Sequence, residues 1–374
     1  MAPPSSSDRQ NLRTGFTTGA CAAAAAKAAT RCLLGGEMLT EIETTLPNRM
    51  KVKFALARCQ REGDAVLASV IKDAGDDPDC THGAELVALV AHKPGPGVEL
   101  RGGAGVAVVT KPGLGLEVGA PAVNPIPRKN IIEMVGEELT AAAAPDGVVV
   151  TISVPGGEEM AKKTLNARLG LLGGISILGT SGIVQPYSTA AYKASIIQAI
   201  DVARERGLTT LVVTTGGKSE AYAMKLLPEL AEEAFIQMGD FVGITLRHCA
   251  RRGISRVVIV GMMGKLSKMA DGKMQTHAAG SEVNMQLLAG LAAELGAAAE
   301  LVAAIAAANT ARHVLELCAG AGLEGITALI CKRVVEHTTA HVAAKFPAPR
   351  PAIEAVLVDF DGRVLGQHPT KVTP

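Results

Sequence analysis

Three short apolar segments, at 175–178, 210–214 and 256–260, each run straight into a glycine turn. The turns are Gly179-Thr180-Ser181-Gly182, Thr215-Gly216-Gly217 and Gly261-Met262-Met263-Gly264-Lys265. Helix-length stretches, at 188–206 and after Lys218, separate the segments. That spacing predicts parallel βαβ units, because a parallel strand can be reached only through a long crossover. In an open parallel sheet the turns gather at the carboxyl edge, where ligands bind. A single tight turn needs glycine in any case. Recurrence after successive strands is what points to a site, with Gly179, Thr180, Gly182, Thr215, Gly216, Gly217, Gly261 and Gly264 as candidates. None of the turns has the spaced glycines of a dinucleotide fingerprint or the Gly-Lys-Ser/Thr ending of a phosphate loop, which disfavours NAD and nucleoside triphosphates.

The preceding part of the chain reads differently. Strands at 39–46, 50–58 and 65–72, broken by Pro47-Asn48 and Glu62-Gly63-Asp64, predict an antiparallel set with one buried face. Residues 13–29 predict a glycine- and threonine-rich turn that opens an alanine-rich helix capped by Thr17 or Thr18. Such a helix start offers free N–H groups to an anion, with Arg13 beside it; the same residues also describe an ordinary capped and buried helix. A proline- and glycine-rich loop at 111–128 and a helix at 130–142 lead to Pro145-Asp146-Gly147, where a domain boundary is expected. The fold class is therefore α/β and α+β. An antiparallel-sheet domain, 1–145, precedes a Rossmann-like parallel α/β domain, 146–374, which ends in a helical stretch and a terminal hairpin around Asp361-Gly362.

The densest chemistry lies at 71–83, where Asp73, Asp76, Asp77, Asp79 and His82 are crowded around Gly75 and Pro78. The spacing is not that of a calcium loop. Some of these aspartates should close Asx turns. Crowded carboxylates raise one another's pKa, and a nearby histidine exchanges protons near neutrality, so Asp73, Asp77 and His82 are the candidates for acid–base work. Lys265 and Lys268 share a helix face after a strand-end turn and, with Lys111, suit carboxylates. His277 can serve as a second proton acceptor or simply cap or pack.

Composition narrows the partners. A chain of 374 residues with 48% hydrophobic and 20% charged residues is globular and long enough for two cores. A net charge of +1, 2% aromatic content and no tryptophan argue against nucleic acid. No run of about 18 uninterrupted apolar residues is present, so no membrane span is expected. The seven cysteines show no Cys-x-x-Cys pair and read as reduced thiols in a cytoplasmic protein. No metal-ligand set is evident, and a homo-oligomer is left open.

Several segments together resemble one family, the cobalt-precorrin-5B (C1)-methyltransferases of cobalamin biosynthesis, also called CbiD. They are 12–29, 70–83, Thr110-Lys111-Pro112-Gly113-Leu114 with 121–128, 173–186 and 261–277. The resemblance implies S-adenosylmethionine as methyl donor and a partly built corrin ring as acceptor, methylated at carbon 1, with any cobalt belonging to the substrate. It places the donor at the glycine turns. The ring's carboxylates are then expected at Arg13, Thr17, Thr18, Lys111, Lys265, Lys268 and His277. The chain departs from the family pattern at Phe16, Ala20 and Met262-Met263, so no catalytic role is expected there. The alternative is a non-catalytic carrier of a corrin intermediate, which needs anion sites but no nucleoside pocket.

Overall fold

The computed structural model describes residues 12–277 and 281–369. It is a mixed α/β protein with several sheets, divided into two compact units, Met1–Thr189 and Ala190–Pro374.

The first unit begins with β1 (Gly15–Phe16) and α1 (Thr18–Gly35), followed by β2 (Glu41–Thr45), β3 (Lys51–Ala55), β4 (Arg58–Glu62), β5 (Ala65–Ile71) and β6 (Glu85–Lys93). Next come β7 (Val98–Gly102), β8 (Gly105–Val106), β9 (Val108–Val109), α2 (Pro125–Ala141) and β10 (Gly147–Ser153). α3 (Gly157–Ala161), β11 (Leu171–Leu172), β12 (Gly174–Ile175) and β13 (Ile183–Val184) complete it. Its main sheet has the order β4-β5-β6-β10-β7. The expected strand at 50–58 is split into β3 and β4, and β2 and β3 form a separate hairpin.

α1 packs on β5 and β6 and against α2. Thr17 caps it, its Oγ1 accepting the Ala20 N–H at 3.2 Å, and Gly36 closes it at φ 79°. Ala22 through Ala26 are 0% exposed, so all sides of this helix are buried and only a methyl group fits. Ala24→Leu should therefore overpack the helix and lower stability by about 1–3 kcal/mol, read as a reduced urea midpoint with an unchanged slope.

The expected boundary at 145/146 is corrected. β10, which was to open the second domain, is an inner strand of the first, antiparallel to β6 and parallel to β7. The proline-glycine break before it is a sharp turn within one unit. The segment at 175–178 is likewise no strand of the second sheet. Gly174 and Ile175 pair with Gly105 and Val106, and Ile177 bridges Val123. Four residues with buried isoleucines between glycines look alike in either setting.

The second unit runs α4 (Thr189–Glu205), β14 (Thr210–Thr214), α5 (Gly217–Leu226), β15 (Phe235–Gln237), α6 (Val242–Arg251), β16 (Arg256–Gly261) and α7 (Met263–Ala270). α8 (Met285–Glu294), α9 (Ala299–Ala306), α10 (Ala311–Gly320), α11 (Gly325–Ala343), β17 (Ala352–Val358) and β18 (Val364–His368) follow. The sheet order is β15-β14-β16-β17-β18, parallel throughout except for β18 at the edge. Leu211–Val213, Val257–Val260 and Ala355–Leu357 are buried without alternation, as strands covered on both faces must be. The terminal hairpin is present, and its first strand is also an inner strand of this sheet. Among the described residues no helix is long and apolar enough to cross a membrane.

Candidate functional site

The order of the second sheet creates a crevice. From β14 the chain crosses to β15 on one side, and from β15 it returns past β14 to β16 on the other. The connections after β14 and β16 therefore diverge, leaving a gap at their carboxyl ends. Thr215-Gly216-Gly217 and Gly261-Met262-Met263-Gly264 border that gap, and α5 and α7 begin there.

Hydrogen bonds tie the rim together. Lys265 Nζ donates to Thr215 O at 2.8 Å and lies 3.1 Å from Asp240 Oδ1. The same Asp240 oxygen accepts Thr276 Oγ1–H at 2.9 Å, and Thr276 N–H donates to Asp240 O at 3.1 Å. Lys268, only 9% exposed, donates from Nζ to Thr276 O at 3.1 Å. Burial pushes its ammonium pKa below the usual lysine value. Gly261 lets these side chains pack closely: a Cβ there would stand 2.3 Å from Leu266 Cδ1 and 2.8 Å from Thr215 Cγ2, so both would have to shift.

The gap is a cavity of about 540 Å³ whose wall includes the turn at 215–217, Asp240, Lys265, Lys268, His277, Met262, Val283 and Phe360. A larger basin of about 1110 Å³ shares Met262, Gly264, Lys268, Val283 and Phe360 with it. The basin continues past Val358 and Asp359 to Arg312 and Arg363. Asp359 holds the β17–β18 turn, accepting the Asp361 and Arg363 N–H groups on Oδ1 at 2.9 Å each, and those amides lower its pKa along with Arg363. Of the predicted residues, the structure brings together Thr215, Gly216, Gly217, Gly264, Lys265, Lys268 and His277 on one cavity wall, whereas Gly261 is not part of that wall and packs against Thr215 and Leu266.

The remaining candidates lie in the first unit and have structural duties there. Gly179, Thr180 and Gly182 belong to the segment that closes over the start of α1. Gly19 N–H donates to Leu178 O and Thr17 N–H to Gly182 O, both at 3.0 Å. Thr18 Oγ1 accepts the Leu178 N–H at 2.9 Å and donates to Ser176 O or Leu178 O. The Gly19 and Ala20 N–H groups at this helix start are thus satisfied by the chain itself, and a pocket of only about 130 Å³, lined by Thr17, Thr18, Lys72 and Asp79 among others, remains beside them. Lys111 donates to Arg168 O at 3.2 Å, its stem lying over Gly170.

The aspartate-rich loop is a clasp on residues 13–16. Arg13 forms a two-pronged pair with Asp73, while its N–H donates to Asp76 Oδ2 at 2.6 Å. Phe16 N–H donates to Asp73 O at 2.7 Å, and a Cβ at Gly15 would stand 2.1 Å from Ala74 C. Asp77 accepts the Tyr187 N–H at 2.8 Å, Asp79 pairs with buried Lys72 at 2.7 Å, and His82 Nδ1 accepts the Ala74 N–H at 3.1 Å. Asp73, Asp77 and His82 are therefore occupied in holding backbone and cation.

The Arg13 guanidinium, helped by the Gly75 amide, pulls the Asp73 carboxyl down to about 2. Lowering marks a carboxylate favoured in the fold, so its stabilising contribution is present above the unfolded pKa and lost as pH falls through the folded value. The stability gap between the wild-type chain and Asp73→Asn should stay constant at neutral pH and close between pH 3.8 and about 2, as urea melts across that range would show.

Sequence reasoning missed Asp240 and Phe360 as cavity-lining residues; the hairpin turn that Asp359 holds was expected, but not its place on the basin. Asp240 follows a strand of three residues, too short to stand out by pattern. Its one signal was an acidic residue roughly 20 positions after a glycine turn that ends a strand. Among the described residues no group of three or more His, Cys, Asp or Glu side chains is placed to hold a metal ion.

Comparison with known proteins gives consistent matches. A family model described as CbiD matches residues 5–186, and one described as the CbiD C-terminal domain matches residues 275–369. The cobalt-precorrin-5B C(1)-methyltransferase of Leptospira interrogans serogroup Icterohaemorrhagiae serovar copenhageni (strain Fiocruz L1-130) is 57% identical over 358 residues, 96% of each chain. A protein of the same description from Geobacillus kaustophilus (strain HTA426) is 53% identical over 324 residues, 87% of each chain. A solved structure, the cobalamin biosynthesis protein (cbiD) from Archaeoglobus fulgidus, is 31% identical, with 67% of this chain and 77% of that one covered at a TM-score of 0.39.

Proposed function

This chain belongs to the CbiD family, and from that premise we propose that it transfers a methyl group from S-adenosylmethionine to carbon 1 of (cobalt-)precorrin-5B, at the carboxyl edge of the second unit's sheet. The observation that carries this placement is the crevice between β14 and β16, with an acidic residue at the end of the neighbouring strand β15. The strand order supports a Rossmann-like reading of this unit.

The residues present fit the donor. Asp240 is placed to accept hydrogen bonds from ribose hydroxyls, as an acidic residue following a glycine turn does in dinucleotide sites. Met262, Val283 and Phe360 give the adenine an apolar bed, and Gly216, Gly217 and Gly264 let the ligand reach the backbone. The donor supplies an activated methyl group that carries its own leaving group. The adjoining basin is assigned to the macrocycle on its size and its apolar floor; its two arginines are paired with Glu316 and Asp359. Any cobalt enters as part of that substrate.

The protein's task is then positioning. Holding the ring carbon and the methyl group in line contributes about 7–11 kcal/mol toward the barrier. Lys265, fixed by Asp240 and Thr215 O, braces the two turns against each other. His277, on the wall of the smaller cavity, is the side chain we assign to receive a proton from the ring. The seven free thiols suit a reducing cytoplasm, where we place the reaction.

Purified protein incubated with the tetrapyrrole and labelled S-adenosylmethionine should give a product heavier by one methyl group, at carbon 1. Calorimetry with S-adenosylhomocysteine alone separates this from a carrier: heat of binding is expected, and its absence would contradict the enzyme reading.

A further inference from the structure

We propose that Lys268 binds the α-carboxylate at the amino-acid end of the methyl donor and so selects the intact donor over its nucleoside fragment. This rests on the donor pocket described above.

Lys268 lies on α7, one helical turn beyond Gly264. The residue is 9% exposed and borders both the smaller cavity and the basin. An ammonium has three donors. Here one reaches Thr276 O at 3.1 Å, and among the described residues Lys268 forms no ion pair. Asp240, the carboxylate nearest in the rim, is engaged by Lys265 and Thr276 Oγ1.

A buried cation held by one carbonyl is unfavourable unless an anion completes it. Lys265 and Lys218 stand on the same wall, against Asp240 alone, so the smaller cavity carries a surplus of positive charge. The larger basin carries the opposite surplus, with Glu282, Glu316, Asp359 and Asp361 against Lys268, Arg312 and Arg363. A carboxylate is therefore drawn to Lys268 from the smaller side, where the donor lies. The rival source of the same chemistry is an acetate or propionate arm of the macrocycle entering from the basin.

Methylthioadenosine keeps the nucleoside and thioether of the donor but lacks the amino acid. Calorimetric titration of the wild-type chain, Lys268→Met and Lys268→Arg with S-adenosylhomocysteine and with methylthioadenosine distinguishes the cases. Lys268→Met should weaken S-adenosylhomocysteine about 10- to 100-fold, the worth of one charge-assisted hydrogen bond, and leave methylthioadenosine within about 2-fold. Lys268→Arg should restore part of the loss. Equal weakening of both ligands, or of neither, would overturn the proposal. If the wild-type chain binds neither ligand, the donor pocket itself is wrong. If it binds both ligands alike, the pocket stands and the role of Lys268 falls.

Discussion

Gly105→Ala is expected to leave no folded first unit. Gly105 has φ +74°, and a Cβ on it would stand 1.9 Å from Val154 O and 2.9 Å from Val154 C, both backbone atoms that no rotamer change can move. The neighbours are equally tight: a Cβ at Gly174 would lie 2.1 Å, and one at Gly157 2.2 Å, from Gly105 O. Three backbone segments, from β8, β12 and the start of α3, thus meet without side chains between them. The substitution should cost more than about 4 kcal/mol, a large share of the stability of an ordinary domain. Gly115→Ala is the matched control, since φ is +68° there but nothing lies within 4 Å of the added atom. Strain alone should cost that variant about 1–2 kcal/mol. Soluble yield and urea melts followed by circular dichroism compare the two. A folded Gly105→Ala of near wild-type stability would refute the close approach.

Asp240→Ala should have the largest effect on ligand binding. Its carboxylate does three jobs in this account: it fixes Lys265, it orders the segment at 274–277 through Thr276, and it meets the donor's ribose. Losing two or more charge-assisted hydrogen bonds of about 1.5–3 kcal/mol each predicts a fall in S-adenosylhomocysteine affinity of about 100-fold or more. Because Asp240 lies at a strand end on a cavity wall, the fold should tolerate the change. Unaltered affinity in a folded variant would remove Asp240 from the site.

The parts of the molecule that could be read from sequence are those whose cause is local. Thr17 and the alanine run specify α1 through a cap and a pattern within a few turns of helix. β14, β16 and the terminal hairpin follow from apolar runs ended by glycine, and the turns after β14 and β16 do share one cavity. What misled was anything whose cause lies far along the chain. The segment at 175–178 has the look of a third sheet strand, but its partners are Gly105, Val106 and Val123. The aspartates at 73–79 look like unpaired charge, and Arg13, which neutralises one of them, lies 60 residues earlier. Crowding of carboxylates suggested raised pKa values; the arginine reverses the sign for Asp73. Asp240 was overlooked because a three-residue strand has no periodicity to detect.

Hydrogen exchange with and without S-adenosylhomocysteine tests most directly where the donor sits. Slowed exchange is predicted in the amides at 215–220, 238–241 and 262–268, which surround the crevice between β14 and β16, with the turn at 179–182 unchanged. Protection confined to 179–182 or to the aspartate-rich loop, with the crevice unaffected, would contradict the account.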